Sequence, residues 1–166
     1  MQTEQSPLIL TLRLDEESQA FFDEMRKRHF PQERNFLKAH LTLFHQLPSD
    51  LVTGEYFRSL QYRTFEMKVV GLRQLGAGVA YQIDSTELQE LHKQVSVYFQ
   101  KALIPQDRQP FKPHITIQNK VTPAASKDLL NGLSARFKPF NVYATGLDLW
   151  EYLGGPWQHI FGYEFI

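Results

Sequence analysis

"KAHLTLFHQLP" at residues 38–48 and "KPHITIQNK" at residues 112–120 share one pattern: histidine, an aliphatic residue, threonine, a second aliphatic residue. The two tetrads, His40–Leu43 and His114–Ile117, stand 74 residues apart in a chain of 166. Short patterns recur by chance, so the repeat carries weight only if its surroundings recur as well. They do.

Ahead of His40, "LILTLRL" alternates as a strand, "DEESQAFFDEMRKRH" reads as an amphipathic helix with acids at its start and bases at its end, and "FPQERNFLKA" is a loop. Ahead of His114 the series is the same: "VAYQID" as a strand, "STELQELHKQVSVYFQKAL" as a helix with Leu88, Leu91, Val95 and Phe99 on one side, then the loop "IPQDRQPFKP". Each tetrad is followed by a second helix ("SDLVTGEYFRSLQ", "TPAASKDLLNGLSARF") and a strand ("TFEMKVVGLRQL", "PFNVYATGLDLWEY"). A Gly-Leu pair recurs too, at Gly71-Leu72 and Gly146-Leu147. The expectation is an α+β fold and a single domain over 1–166. It would be bilobal, with two duplicated β-α-β-α-β halves, about 1–76 and 77–166, placing mainly antiparallel sheets around a central cleft.

Side chains on a strand alternate faces, so His40 and Thr42 share a face, as do His114 and Thr116, each pair about 6.5 Å apart. Leu41, Leu43, Ile115 and Ile117 then face a core. A lone His-x-Thr is most simply a buried pair satisfied by its neighbours. Two in matched settings call for another account. Histidine titrates nearest neutrality, so a facing pair can divide one task, one imidazole taking a proton from water and an imidazolium giving one to a leaving oxygen. The threonine hydroxyls can donate to the non-bridging oxygens of a phosphate, and a phosphodiester uses all four groups.

Composition narrows the classes. The chain contains no cysteine, which removes disulfides, thiolate nucleophiles and Cys-type metal centres. No H-E-x-x-H, EF-hand-like or phosphate-loop motif occurs, so neither metal nor other cofactor is expected. With 18 basic and 18 acidic residues the molecule has no net charge to hold a long polyanion or an anionic membrane. Residues 101–140 nevertheless carry seven bases against two acids, enough for a local anion site. The N-terminal segment has no basic leader and too short an apolar run for a signal core, so a cytoplasmic location is expected.

In the paired tetrads HLTL and HITI, over essentially the whole chain, the sequence resembles the two-histidine (2H) phosphoesterase superfamily. "HLTLFHQLP" and the later "YLGGPW" resemble its bacterial branch, commonly labelled 2′-5′ RNA ligase-like. The resemblance implies metal-independent chemistry on 2′,3′-cyclic phosphates or related 2′-linked esters, with a 2′-phosphate product. It makes His40 and His114 the acid–base pair and Thr42 and Thr116 the phosphate donors. Cyclic phosphodiesterase members often carry an arginine just after the second tetrad, where this chain has Gln118, Asn119 and Lys120. By strand parity Gln118 and Lys120 share the face of His114, so Lys120 is expected to supply the positive charge.

Phe44, by parity with His40, and Tyr152 and Trp157, flanking the Gly154-Gly155 turn, are candidates to stack on a base. His45, of opposite parity, is expected to face away; His29 ends a helix, His92 lies beside an apolar helix face, and His159 can reach a site only through the fold. The expected protein is a monomer that opens a 2′,3′-cyclic phosphate on a nucleotide or RNA end, without a protein partner or membrane. RNA 2′-5′ ligation, cleavage of 2′-5′ oligonucleotides and nucleotide binding without turnover remain open alternatives.

Overall fold

The computed structural model describes residues 6–166. Strands and helices follow as β1 (Leu8–Leu14), α1 (Glu16–His29), β2 (Leu41–Leu47), α2 (Leu51–Ser59), β3 (Phe65–Leu75), β4 (Gly78–Asp84), α3 (Thr86–Tyr98), β5 (His114–Gln118), α4 (Pro123–Ser134), β6 (Phe140–Tyr152) and β7 (Trp157–Glu164). Short 3₁₀ turns occur at Gln32–Arg34 and Pro105–Arg108. The β-α-β-α-β series therefore occurs twice. Every α-helix opens on a side-chain cap: Asp15, Asp50, Ser85 and Thr122 each accept the backbone N–H three residues on at 3.1 Å, which satisfies a donor the helix itself leaves free.

All strand pairs are antiparallel and form one seven-stranded sheet in the order β2-β1-β6-β3-β4-β5, with β7 added to β6. Exchanging β1 with β4, β2 with β5 and β3 with β6 reverses that order onto itself. Each sequence half keeps its first two strands together and gives its third strand to the other half, so β3 and β6 pair at the middle of the sheet. β7 was not anticipated. Trp157, Phe161 and Tyr163 stand at alternate positions along it, although most of its residues are exposed; it forms by folding back on β6 through Gly154, whose φ is +83°.

A single apolar core joins one face of the sheet to the helices: Leu10, Leu12, Leu41, Ile115 and Leu147 from the strands, Phe22 from α1, Phe57 from α2, Leu88 and Leu91 from α3. Although β2 and β5 end the strand order on opposite sides, they come into contact. Arg26 of α1, buried at 4% exposure, ties the loop ahead of β2 to β5: it donates to Asn35 Oδ1 at 3.2 Å and to the Thr116 carbonyl at 3.0 Å. The sheet thus curls until its two ends meet.

Both tetrad strands are interrupted at the same place. On β2, Thr42 opposes Thr11 and Phe44 opposes Leu10, which leaves Leu43 as an extra residue. On β5, Thr116 opposes Ala80 and Gln118 opposes Val79, leaving Ile117 extra. These are β-bulges, and each reverses the facing of the residues after it. On β5 the bulge depends on Gly78, because a Cβ there would fall into the Gln118 carbonyl.

Candidate active site

The backbone before His40 is held from α1: the Ala39 N–H donates to Asp23 Oδ1 and the Ala39 carbonyl accepts from Gln19 Nε2, both at 2.8 Å. His40 sits one residue ahead of β2, and His114 is the first residue of β5. The two rings are anchored alike. His40 Nδ1 lies 2.8 Å from the Lys38 carbonyl, and His114 Nδ1 lies 2.8 Å from the Lys112 carbonyl. A carbonyl only accepts, so each Nδ1 carries the hydrogen, and Nε2 is the atom left to take or give a proton.

Leu41 and Ile115 are fully buried behind the histidines, as alternation requires, while His40, Thr42, His114 and Thr116 remain partly accessible. Among the described residues neither threonine hydroxyl has a hydrogen-bond partner, so both can meet a ligand. Burial pushes His40 below the usual histidine value; the Lys38 carbonyl opposes this, and the charges of Arg26, His114 and His45 add to the depression. His114 is lowered in the same way, by burial first, against its bond to Lys112, and then by Arg73 and His45. The two imidazoles therefore lie near enough to sense one another's neighbourhood.

The bulges correct three expectations. Phe44 does not share the face of His40: it is fully buried, its ring stacked at 4.5 Å on His92, with no surface to offer a base. Gln118 does not share the face of His114 either. It opposes Val79 and is buried at 7% exposure, turned to the side where Gln74, the other partner of Val79, reaches Ser126 of α4 at 2.8 Å. Lys120 lies beyond the end of β5 with φ +64°, exposed, so strand parity no longer governs it. Gln118 is therefore off the surface that the threonines share.

His45 does not face away. It lies in a second irregularity of β2, between Phe44 and Leu47, where it is exposed, and its charge reaches both His40 and His114. Its Nδ1 lies 2.8 Å from Asp107 Oδ1, and its backbone N–H, with that of Gln46, also donates to the Asp107 carboxylate at 2.9–3.0 Å. Asp107 belongs to the 3₁₀ turn before β5, so this carboxylate also ties β2 to the second half of the chain.

On the β6–β7 side, Trp157 stands 4.8 Å from the His40 ring, centroid to centroid. Tyr152 opposes it across the hairpin and is exposed. His159 opposes Trp150, and its Nε2–H donates to Asp148 Oδ1 at 2.8 Å. Asp148 also accepts two bonds from the Arg13 guanidinium, at 3.1 and 2.6 Å. Arg73, Asp107 and His159 belong to this neighbourhood but not to any sequence motif; only the repeat hinted at Arg73, which sits two residues after the glycine of the first Gly-Leu pair as Asp148 does after that of the second. Concavity would have pointed elsewhere: a cavity of about 840 Å³ lined by Leu8, Leu51, Arg58 and Phe161 contains none of these groups. Among the described residues no group of three or more His, Cys, Asp or Glu is arranged to hold a metal ion, and no helix is long and apolar enough to cross a membrane.

An antiparallel α+β sheet that curls to bring two imidazole–hydroxyl strands together defines a class of two-histidine phosphoesterase folds. The chain belongs to the 2′-5′ RNA ligase superfamily, which its sequence matches over residues 14–156. Its fold is that of LigT from E. coli, solved with 3′-AMP, at a TM-score of 0.66 and 17% identity, covering 98% of this chain and 99% of that one. TT0787 of Thermus thermophilus is similar at a TM-score of 0.66 and 17% identity, over 95% of this chain and 97% of that one. A protein described as a phosphoesterase matches at 0.65 and 16%, over 98% and 99%. Other LigT structures hold NADP+, ATP or phosphate. No curated protein matches the sequence.

Proposed function

We propose that this protein is a metal-independent phosphodiesterase that opens the 2′,3′-cyclic phosphate of a nucleotide or RNA end to a 2′-phosphate. The observation that carries this reading is the matched anchoring of the two imidazoles, each with Nδ1 held at 2.8 Å by the carbonyl two residues earlier, each beside an unengaged threonine. One neutral Nε2 takes a proton from water as the water oxygen bonds to phosphorus. The bond from phosphorus to the 3′ oxygen breaks, and the other imidazolium delivers its Nε2 proton to that oxygen. Thr42 and Thr116 donate to the non-bridging oxygens, whose charge grows in the transition state. Trp157, beside His40, offers a surface for the base. The matched element order and the matched bulges support descent of the two halves from one duplicated unit. The nucleotides held by LigT make a nucleotide a reasonable ligand here.

The test is hydrolysis of 2′,3′-cyclic AMP and of a cyclic-phosphate-ended RNA in excess EDTA, with the product isomer identified. Turnover to the 2′-phosphate is expected. Binding of both without turnover would favour a nucleotide-binding module, and joining to an added 5′-hydroxyl oligonucleotide would favour ligation.

The acidity of the pair sets a pH profile. Both histidines lie below the ordinary value of about 6.5, so at pH 7 the free enzyme holds both mainly neutral. The required form has one neutral and one protonated ring. The bell-shaped profile of kcat/KM, which reports the pair rather than either residue, is therefore expected to peak on the acid side of 6.5. The kcat profile should lie at higher pH, because a bound phosphate anion favours the imidazolium. Initial rates across pH 4.5–9 check both; a kcat/KM maximum well above 6.5 would contradict the assignment.

A further inference from the structure

Strand parity no longer places Lys120 beside the second tetrad, and strand register supplies another cation there. Thr116 opposes Ala80 on β4, and Ala80 opposes Arg73 on β3. Directly opposed residues share a face of a sheet, so Arg73 lies on the surface of Thr116, two strand spacings or about 10 Å away. Ala80 between them has only a methyl group, which leaves the extended arginine free to reach across. Arg73 is partly buried, and among the described residues its guanidinium has no hydrogen-bond or ion-pair partner.

The matching row on the other side of the sheet makes the contrast. There Thr42 opposes Thr11, and Thr11 opposes Asp148. The residue at the position of Arg73 is thus an acid; its charge is met by Arg13 at 2.6 Å, and it also accepts a hydrogen bond from His159 at 2.8 Å. One side of the floor is electrically closed; the other presents a bare cation next to a histidine and a threonine. The fork of N–H donors on a guanidinium fits two oxygens of a phosphate.

We propose that Arg73 is the phosphate-binding cation of this site, gripping the non-bridging oxygens of the substrate's phosphate from the His114 side. The inference rests on the function proposed above and names a residue, on a strand outside both motifs, that supplies the charge the second tetrad lacks. Arg73 also lowers the affinity of His114 for a proton, a sign that its charge reaches the reacting centre.

The test compares Arg73→Ala, Arg73→Gln and Arg73→Lys with Lys120→Ala and with Lys68→Ala, an exposed cation on the same strand. KM for 2′,3′-cyclic AMP and the inhibition constant of inorganic phosphate are measured for each, with thermal melting to establish folding. Arg73→Ala and Arg73→Gln should raise both constants about tenfold or more. Arg73→Lys should recover part of the loss, since an ammonium keeps the charge without the fork, and Lys68→Ala should match the wild type. Unchanged constants in folded Arg73→Ala would overturn the proposal, as would a loss confined to Lys120→Ala. If the wild type does not turn over, calorimetry with adenosine 2′-monophosphate still decides. Binding lost in Arg73→Ala would uphold the cation site although the proposed reaction had failed; binding retained would overturn it.

Discussion

Replacing His40 or His114 with alanine is expected to lower turnover of a 2′,3′-cyclic phosphate by about 10²–10⁴-fold, and replacing both should cost little more than the worse single change. Each ring performs a step that the other cannot complete alone, so the pair acts as a unit and its losses do not add. Both rings are partly accessible, and each makes one side-chain hydrogen bond, to a carbonyl two residues away. Either alanine variant should therefore fold, with a melting temperature close to the wild type. Steady-state kinetics of the two single variants and the double variant, together with melting curves, give the answer. Loss confined to one histidine, or single losses that multiply in the double variant, would mean that the rings do not share one reaction.

The largest effect on stability is expected at Asp107. Its carboxylate is buried at 5% exposure and accepts from the backbone N–H groups of His45 and Gln46 and from the His45 ring. Those amides stand on the outer edge of β2, where no strand follows in the sheet order, so the carboxylate serves in place of a neighbouring strand. Asp107→Ala would leave both amides and the ring without their partner, at a cost of about 3 kcal/mol. For a chain of this size that is roughly 6–12 °C of melting temperature. Asp107→Asn, which keeps the acceptor oxygen, should lose about half as much. The sign of the pH dependence follows from the carboxylate: burial alone would raise its pKa, but the bonds from His45 and Gln46 outweigh this and hold it below the ordinary range. A lowered carboxylate contributes stability that is present above its unfolded value of about 3.9 and is lost as pH falls through its folded value. The difference in unfolding free energy between wild type and Asp107→Ala, measured by urea titration, should be constant from pH 7 to 5 and shrink only below pH 4. Equal midpoints at pH 7 would show that the carboxylate is not what holds the β2 edge.

Much of the fold could be read without coordinates because it is written locally. The period of two in "LILTLRL", the helical spacing of Leu88, Leu91 and Val95, and Asp15, Asp50, Ser85 and Thr122 at helix starts each depend on neighbours a few residues away. Repetition did the rest: the same series at the same spacing singled out His40, Thr42, His114 and Thr116. β7 escaped although Trp157, Phe161 and Tyr163 alternate along it: it is short and mostly exposed, and it follows the Gly154-Gly155 turn, beyond the strand expected to end at Tyr152. The ends of α1 agree with its charge pattern, whereas the second long helix, read as extending to Leu103, stops at Tyr98.

By itself the sequence determined the two β-α-β-α-β series, the family, and the four polar residues of the paired tetrads, since each rests on a pattern contained within a short window or on its recurrence. Tertiary structure alone decided which residues join those four. A bulge exists only in relation to the partner strand it is misaligned with, and the two bulges sent Phe44 and Gln118 to the core. Arg73 comes level with Thr116 only through pairings across β3, β4 and β5, and Asp107 meets His45 only because the curled sheet brings β2 against the second half of the chain. Side-chain alternation is a local rule of the backbone, but the register that turns alternation into a face is set by hydrogen bonds between strands distant in sequence.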